Sequence, residues 1–236
     1  MKYDVVIGNP PYQAPKSYNG STQLYLKFIE LAKEQAMDGG WIAYVTPPNF
    51  LQYKRHLIEG CHITSIQSTK AFKVGTTISW YTLKKEEGKS VIPLTGYIPL
   101  NNLTPMAFSI TNKVMKSHGV KNIWTRNDGG IVEPEWAHMY RLNQAKTFNV
   151  KLYKDLGKTT RYEYHTDYDP KWVRDVYNSE LFNYLYYTNM NTPFLTGSFI
   201  NNIPIPKERI PLEDLYTYYN LTQEEIQYVR SLQEPR

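Results

Sequence analysis

The 236-residue sequence is poor in the residue types on which several classes of protein depend. Its single cysteine, Cys61, excludes an internal disulfide framework and favours a reducing, cytoplasmic environment. No apolar run approaches the roughly 20 residues that cross a bilayer. The charged start Met1-Lys2-Tyr3-Asp4 is not typical of a secretory signal peptide. We therefore expect a cytoplasmic protein with no membrane partner.

Signatures of several enzyme classes are also missing from the sequence. There is no P-loop and no Gly-x-Ser-x-Gly nucleophile elbow. Cys61 and the five histidines lack metal-ligand spacing, so no metal site is predicted; these histidines are His56, His62, His118, His138 and His165. ATP hydrolysis by a P-loop, α/β-hydrolase chemistry and zinc chemistry are thus set aside.

The bulk composition is compatible with a nucleic-acid partner. Lysine and arginine number 27 against 22 acidic residues, which gives a net charge of +5, and 21 residues are tyrosine. Basic side chains neutralise phosphates and tyrosine rings stack on bases. A solvated basic surface and an aromatic core account for the same numbers equally well.

The most informative segment is Asn9-Pro10-Pro11-Tyr12, which directly follows the apolar run Val5-Val6-Ile7 and Gly8. The run has the pattern of a strand buried on both faces, and the prolines end it abruptly. Ligands of open α/β sheets bind at the carboxyl ends of strands. The segment therefore predicts a binding site, although a proline-rich strand exit without chemistry is the simpler alternative.

The residue types of this segment suit a planar base with an exocyclic amino group. The Asn9 side chain and the Pro10 carbonyl are two acceptors, and hydrogen bonds to both would draw the nitrogen lone pair out of ring conjugation. Tyr12 can hold the ring by stacking, worth about 1–3 kcal/mol per base. We therefore predict that Asn9, Pro10 and Tyr12 are catalytic.

The first hundred residues alternate helix and strand patterns. A helix is predicted from a cap at Ser21 or Thr22 to about Met37, where Asp38-Gly39-Gly40 ends it. Strands are predicted at 41–46, 62–67, 76–83 and 91–98, with a helix that Asn49 caps and that runs to about Glu59. This order implies a parallel sheet with helices on its faces.

Beyond about residue 100 the periodicity weakens and basic and aromatic residues alternate. Arg126, Lys158 and Arg161 lie in this part and are predicted to contact DNA. An ordinary exposed hairpin would have the same composition. This change predicts two regions, 1–100 and 101–236, for which the family resemblance given below implies a catalytic part and a target-recognition region.

The sequence resembles the γ-class adenine-specific DNA methyltransferases of restriction–modification systems. The likeness begins at Tyr3–Tyr12, is close over 3–82 and moderate over 172–236, and continues through the segments 24–30, 38–47, 49–51, 74–81, 177–184 and 200–206. The ending Asn202-Ile203-Pro204-Ile205-Pro206 favours DNA over RNA or protein substrates.

The resemblance implies a fold, a reaction and further site residues. The fold would be α/β: a partial Rossmann-like methyltransferase sheet followed by an α+β target-recognition region. The reaction would transfer a methyl group from S-adenosylmethionine to an adenine flipped out of double-stranded DNA, with Asn9 also near the cofactor. Tyr97 occupies the place of a second stacking ring; Phe72 and Trp80 are less favoured because strand-centre positions would bury them.

The sequence departs from this family in the segment that binds the cofactor. The glycine-rich strand and turn that hold S-adenosylmethionine come before the motif in the γ class, whereas here the motif starts at Asn9. The pairs Gly39-Gly40 and Gly129-Gly130 lack the flanking strand and helix that such a turn needs. We expect poor cofactor binding by the chain alone, whether it is one half of a split enzyme, a remnant or a fragment.

Two other functions stay open. A catalytically silent DNA-recognition subunit would use residues 100–236 alone. An interaction protein would use Val5-Val6-Ile7, which the missing neighbour strand would leave as an open apolar edge.

Overall fold

A computed structural model of the chain describes residues 1–13, 23–69, 77–122, 125–126, 137–141, 148–152, 164–165, 168–189 and 201–232. The chain divides into two compact units, Met1–Phe108 and Ser109–Arg236. The assignment of catalysis to one part and of target recognition to the other stays a prediction.

The first unit is built on a four-stranded sheet. Its elements are β1 (Tyr3–Gly8), α1 (Leu24–Gln35), β2 (Ala36–Thr46), α2 (Phe50–Tyr53), a 3-10 turn (Arg55–Ile58), β3 (His62–Thr69) and β4 (Ile78–Lys84). The strand order across the sheet is β1-β2-β4-β3. The strand predicted around Val5-Val6-Ile7 is thus confirmed, and it lies at one end of the sheet.

The sheet is mixed, so the predicted parallel sheet is only partly correct. β1 and β2 are parallel and are joined through α1, whereas β4 runs antiparallel to both β2 and β3. Residues 70–77 connect β3 to β4, and a parallel crossover needs a dozen residues or more. The short connection therefore dictates the antiparallel pairing.

One face of the sheet carries the core of this unit. Val6, Ile42 and Leu83 lie in register across three strands. They share a hydrophobic cluster with the α1 residues Tyr25 and Ile29, which are fully buried. Burial of this apolar row against α1 is what fixes the register, because a slip by one residue would turn it to the opposite face.

Three sequence predictions for this unit are wrong in detail. Helix α1 ends at Gln35, and Gly39 and Gly40 belong to β2, where their backbone N–H and C=O pair with Lys85 at 2.9 Å. The segment 91–98 is not a strand. The residue that precedes α1 is Gln23, which makes no side-chain cap, and Asn49 makes none for α2; the predicted caps Ser21 and Thr22 lie outside the described residues.

The second unit combines helices with short antiparallel ribbons. Helix α3 (Pro105–Lys116) crosses the boundary between the units. The ribbons pair β5 (Thr125–Arg126) with β8 (Tyr164–His165) and β6 (Ala137–Arg141) with β7 (Phe148–Leu152). The described part of this unit also contains the helices α4 (Pro170–Tyr177), α5 (Glu180–Asn189), Leu215–Tyr218 and Gln223–Ser231.

The Asn-Ile-Pro-Ile-Pro segment is part of the second unit's core. Ile203 and Ile205 are buried, and Ile205 forms a β-bridge with Val120. The Pro204 carbonyl accepts a hydrogen bond from the Tyr219 hydroxyl at 2.7 Å. The Pro206 carbonyl accepts one from Trp172 Nε1 at 3.1 Å. These contacts hold the segment inside the second unit.

Among the described helices, none is both long enough and apolar enough to cross a bilayer.

Candidate active site

The Asn9–Tyr12 segment lies where the two parallel strands end. β1 ends at Gly8 and β2 ends at Thr46, followed by Pro47-Pro48-Asn49. Gly8 is paired with Tyr44, so both carboxyl ends meet at one edge of the sheet. Two prolines thus follow closely after each strand; they stop the sheet and make both exits rigid.

Gly8 leaves space for a neighbouring ring where the two strand ends meet. A Cβ atom added at Gly8 would lie 3.3 Å from Cε1 of Tyr44, closer than a normal contact. The glycine therefore lets the Tyr44 ring pack directly against the backbone that leads into Asn9.

Asn9 and Tyr12 are turned toward each other. The Tyr12 hydroxyl donates a hydrogen bond to Asn9 Oδ1 at 3.1 Å. Asn9 is exposed, Pro10 is buried, and the half-buried Tyr12 ring packs against the hydrophobic core. Burial raises the pKa of Tyr12, so its hydroxyl remains a donor at neutral pH. A second lone pair on Asn9 Oδ1 stays free for another donor.

A set of buried hydroxyls lies at the same edge of the sheet. Thr46 Oγ1 donates to the Tyr81 hydroxyl at 3.4 Å, and Ser79 Oγ donates to the Thr46 carbonyl at 2.9 Å. The buried Tyr25 hydroxyl has no hydrogen-bond partner among the described residues. Burial raises the pKa of Tyr25 to about 12 and raises that of Tyr81 as well. These hydroxyls stay protonated at neutral pH and cannot serve as a general base.

Arg55 and Gln52 fasten the segment that carries Tyr97. Arg55 donates from Nε to the Leu51 carbonyl at 2.6 Å, from Nη2 to the Gly96 carbonyl at 2.7 Å, and from Nη1 to the Leu94 carbonyl. The amide of Ile98 donates to Gln52 Oε1 at 3.2 Å. Gly96 has a φ of +78°, which favours glycine at this turn. The side chains of Arg55 and Gln52 thus make hydrogen bonds to this backbone that a neighbouring strand would make in a sheet.

The three candidates for the second stacking ring have different environments. Tyr97 lies in this irregular segment and is half-buried. Trp80 was disfavoured as a buried strand residue, and this reason is wrong because 40% of it is exposed. Phe72 lies outside the described residues. The stacking role of Tyr97 stays a prediction.

The predicted DNA contacts are only partly within the described chain. Arg126 lies in β5, opposite Tyr164 of β8. Lys158 and Arg161 lie outside the described residues. The role of all three residues in DNA binding stays a prediction.

The described residues do not by themselves fit S-adenosylmethionine. Gly39 and Gly40 pair with Lys85 through their backbone, so they cannot cradle a ligand. Gly129-Gly130 lies outside the described residues. Asn9 is the remaining predicted cofactor contact. Within the same described ranges, no group of three or more His, Cys, Asp or Glu side chains is placed to hold a metal ion.

Comparison with known families points to one of them. Residues 1–74 match the family model of the Eco57I restriction-modification methylase. The matched residues run from β1 to the connection after β3 and include Asn9, Pro10 and Tyr12. The match supports a restriction–modification methylase and methyltransferase activity in general. None of the curated proteins compared matches the chain.

Sequence reasoning missed Arg55 and Gln52. Arg55 contacts carbonyls 39 and 41 residues away in the chain. Every residue has a backbone carbonyl, so the side chains at those positions do not indicate the contact. No local pattern signals such a contact. The one indication in the sequence is Gly96, which marks a turn inside an apolar run.

Proposed function

We propose that this chain handles the target base in an adenine-specific DNA methyltransferase of a restriction–modification system. The observation that carries the proposal is the position of Asn9-Pro10-Pro11-Tyr12 at the carboxyl end of β1, inside the region that matches the methylase family. The substrate would be double-stranded DNA and the methyl donor S-adenosylmethionine.

The reaction begins when an adenine leaves the duplex and enters the site. Flipping costs a few kcal/mol, which stacking on Tyr12, and on Tyr97 from the other side, would offset. Asn9 Oδ1 and the Pro10 carbonyl accept hydrogen bonds from the exocyclic amino group. These bonds localise the nitrogen lone pair and make the nitrogen a better nucleophile.

No general base is needed for this chemistry. The amino nitrogen becomes cationic and acidic only after it has gained the methyl group, so its proton leaves to water. The protonated hydroxyls of Tyr25 and Tyr81 beneath the site are consistent with such a mechanism. When bound, S-adenosylmethionine would supply the methyl group in line with the nitrogen lone pair.

We further propose that a protein partner supplies most of the cofactor site. β1 is the end strand among the described strands, with Val5 55% and Ile7 80% exposed. The expected apolar edge is therefore present, whereas the expected burial of this strand on both faces is wrong. A groove of about 340 Å³ follows this edge, lined by Tyr3, Val5, Val6, Ile7, Leu31, Ala32, Gln35 and Tyr44.

The sheet face opposite α1 extends this apolar edge. Val5 is in register with Trp41, and Trp80 is in register with Val45. Trp41 and Trp80 are each 40% exposed. Parallel strands of α/β proteins are ordinarily covered on both faces. A partner that adds a strand beside β1 and a helix over the two tryptophans would cover both surfaces.

Methyl transfer to DNA tests the proposed function. The chain, alone and with the products of its neighbouring genes, is incubated with labelled S-adenosylmethionine and unmethylated genomic DNA. We expect transfer, and we expect Asn9→Ala to abolish it while DNA binding is retained. Unchanged transfer by Asn9→Ala would exclude the proposed site. DNA binding without any transfer would favour the silent recognition subunit.

Calorimetry with S-adenosylmethionine tests the partner separately. Binding by the chain only in the presence of a neighbouring gene product is the expected result. Binding of similar strength by the chain alone would show that the cofactor site is complete without a partner.

A further inference from the structure

The hydrogen bond between Tyr12 and Asn9 joins the two side chains that would handle the base. Its length is 3.1 Å, and only Pro10 and Pro11 separate the two residues. Both prolines have a fixed φ, so the turn that brings the side chains together is stiff. The Tyr12 ring is anchored on the hydrophobic core, while Asn9 is exposed. The anchored residue therefore restrains the exposed one.

The orientation of the Asn9 side chain decides what the site can bind. Its carboxamide has an accepting oxygen at one end and a donating NH₂ group at the other. The final torsion of asparagine is broad and roughly two-fold, so an unrestrained side chain presents either end. With NH₂ inward, donor would face donor at the adenine amino group and binding would be lost.

The structure assigns to the Tyr12 hydroxyl a role as a positioning group for Asn9. By donating to Oδ1, it holds the carboxamide with its oxygen at the site and leaves the second lone pair for the amino group of the base. This inference rests on the proposed function and deepens it. Tyr12 then acts twice, through its ring face on the base and through its hydroxyl edge on Asn9.

These two contributions of Tyr12 can be separated by ligand chemistry. Tyr12→Phe retains the ring and removes the hydroxyl, whereas Tyr12→Leu removes both. The amino group of adenosine offers two N–H donors, one for Asn9 Oδ1 and one for the Pro10 carbonyl, and N6,N6-dimethyladenosine offers none. Tyr53→Phe is the matched control, because Tyr53 is an exposed residue of α2 outside the site.

Side-chain amide spectra of the full-length chain, labelled with ¹⁵N-asparagine, provide the first readout. The Asn9 NH₂ resonances are assigned by their loss in Asn9→Ala. We expect Tyr12→Phe to shift them in the absence of ligand and Tyr53→Phe to leave them unchanged. Identical Asn9 resonances in wild type and Tyr12→Phe would overturn the inference.

Titration with the two nucleosides provides the second readout. Tyr12→Phe is expected to weaken adenosine binding roughly three- to ten-fold, as for loss of one neutral hydrogen bond, and to leave dimethyladenosine binding unchanged. Tyr12→Leu should weaken both. Equal weakening of both ligands by Tyr12→Phe would contradict a positioning role. Failure of the wild type to prefer adenosine would contradict the proposed function instead, and the ligand-free spectra would still decide the role of the hydroxyl.

Discussion

At the scale of single residues, Arg55 connects parts of the first unit that are distant in sequence. Its guanidinium serves three carbonyls, those of Leu51, Leu94 and Gly96. Burial lowers the pKa of Arg55, which nevertheless remains charged at neutral pH. A lysine at this position would carry the same charge, but its single ammonium group could not reach all three carbonyls as the planar guanidinium does.

We predict that Arg55→Lys loosens the segment that carries Tyr97. Two carbonyls would lose their donors, at a cost of roughly 1–3 kcal/mol in the free energy of unfolding. Hydrogen exchange measured on a peptide covering 92–98 should become faster, and the melting temperature should fall. Arg209→Lys is the control, because Arg209 is an exposed arginine paired with Asp175. Unchanged exchange over 92–98 in Arg55→Lys would refute this role.

Glu225 is a buried charged residue of the second unit. It is 3% exposed and receives hydrogen bonds from Ser109 Oγ at 2.6 Å, Lys113 Nζ at 2.7 Å and the Thr222 amide at 2.7 Å. Burial by itself would raise the pKa of Glu225, but the hydrogen bonds and the charge of Lys113 outweigh it and lower the pKa. The ionised form is therefore the one that the folded state stabilises.

The sign of this shift predicts a loss of stability in acid. Because the pKa of Glu225 is lower in the folded chain than in the unfolded chain, its contribution is complete above the unfolded value of about 4.3. It is lost as the pH falls through the lower, folded value. Glu225→Gln should destabilise the protein by about 1–3 kcal/mol at pH 7, and the difference from wild type should shrink below pH 4.

Urea unfolding at pH 7 and at lower pH values measures this difference. Glu224→Gln is the control, since Glu224 is exposed in the first turn of the same helix. A difference between wild type and Glu225→Gln that stays constant with pH would contradict the account.

At the scale of elements, β1 combines the features of an association site. Its outer edge is unpaired among the described strands, and it exposes the large apolar side chains of Tyr3, Val5 and Ile7 beside the charged Asp4. Unprotected edges of this kind pair with other chains. The edge that a partner would cover should therefore also promote self-association of the isolated chain.

We predict that Val5→Lys suppresses this association, because a charged residue on an edge strand opposes pairing. Val91→Lys is a matched control: Val91 is 54% exposed, against 55% for Val5, and lies outside the sheet. Sedimentation velocity should show concentration-dependent association of wild type and Val91→Lys, and a monomer for Val5→Lys. Equal association of all three would locate the contact elsewhere.

The positions of most elements in the first unit follow from local patterns, but their environment does not. The apolar run at Val5-Val6-Ile7 correctly predicted a strand, because period and turn residues are local properties. Its burial was predicted wrongly, because burial depends on neighbours that the pattern does not specify. Likewise, the segment 91–98 has the composition of a strand but does not form one. Arg55 donates hydrogen bonds to two of its carbonyls instead.

The candidate site was predictable at Asn9–Tyr12 for a similar reason. A strand that stops at two prolines is visible in the sequence and dictates a rigid exit. The contact between the Tyr12 hydroxyl and Asn9 depends on the conformation of that exit, and the hydroxyls of Thr46, Ser79 and Tyr81 gather there through pairing of distant strands. Neither arrangement has a signature in the local pattern.

At the scale of the whole molecule, the evidence for function is concentrated in the first unit. The family match ends at residue 74, and the proposed acceptors Asn9 and Pro10 lie within it. The second unit contributes the folded core around Ile203–Pro206 and the proposed DNA-contacting residue Arg126. The net charge of +5 is compatible with a polyanionic substrate.

The central claim is that Asn9 and Pro10 direct methylation to the amino group of adenine. Its most direct test is the mass-spectrometric analysis of nucleosides from genomic DNA of a methylation-free host that expresses the chain with its neighbouring genes. We predict N6-methyladenine with the wild-type chain and none with Asn9→Ala at equal protein levels. N6-methyladenine that persists in the Asn9→Ala strain, or a methylated cytosine in its place, would contradict the account.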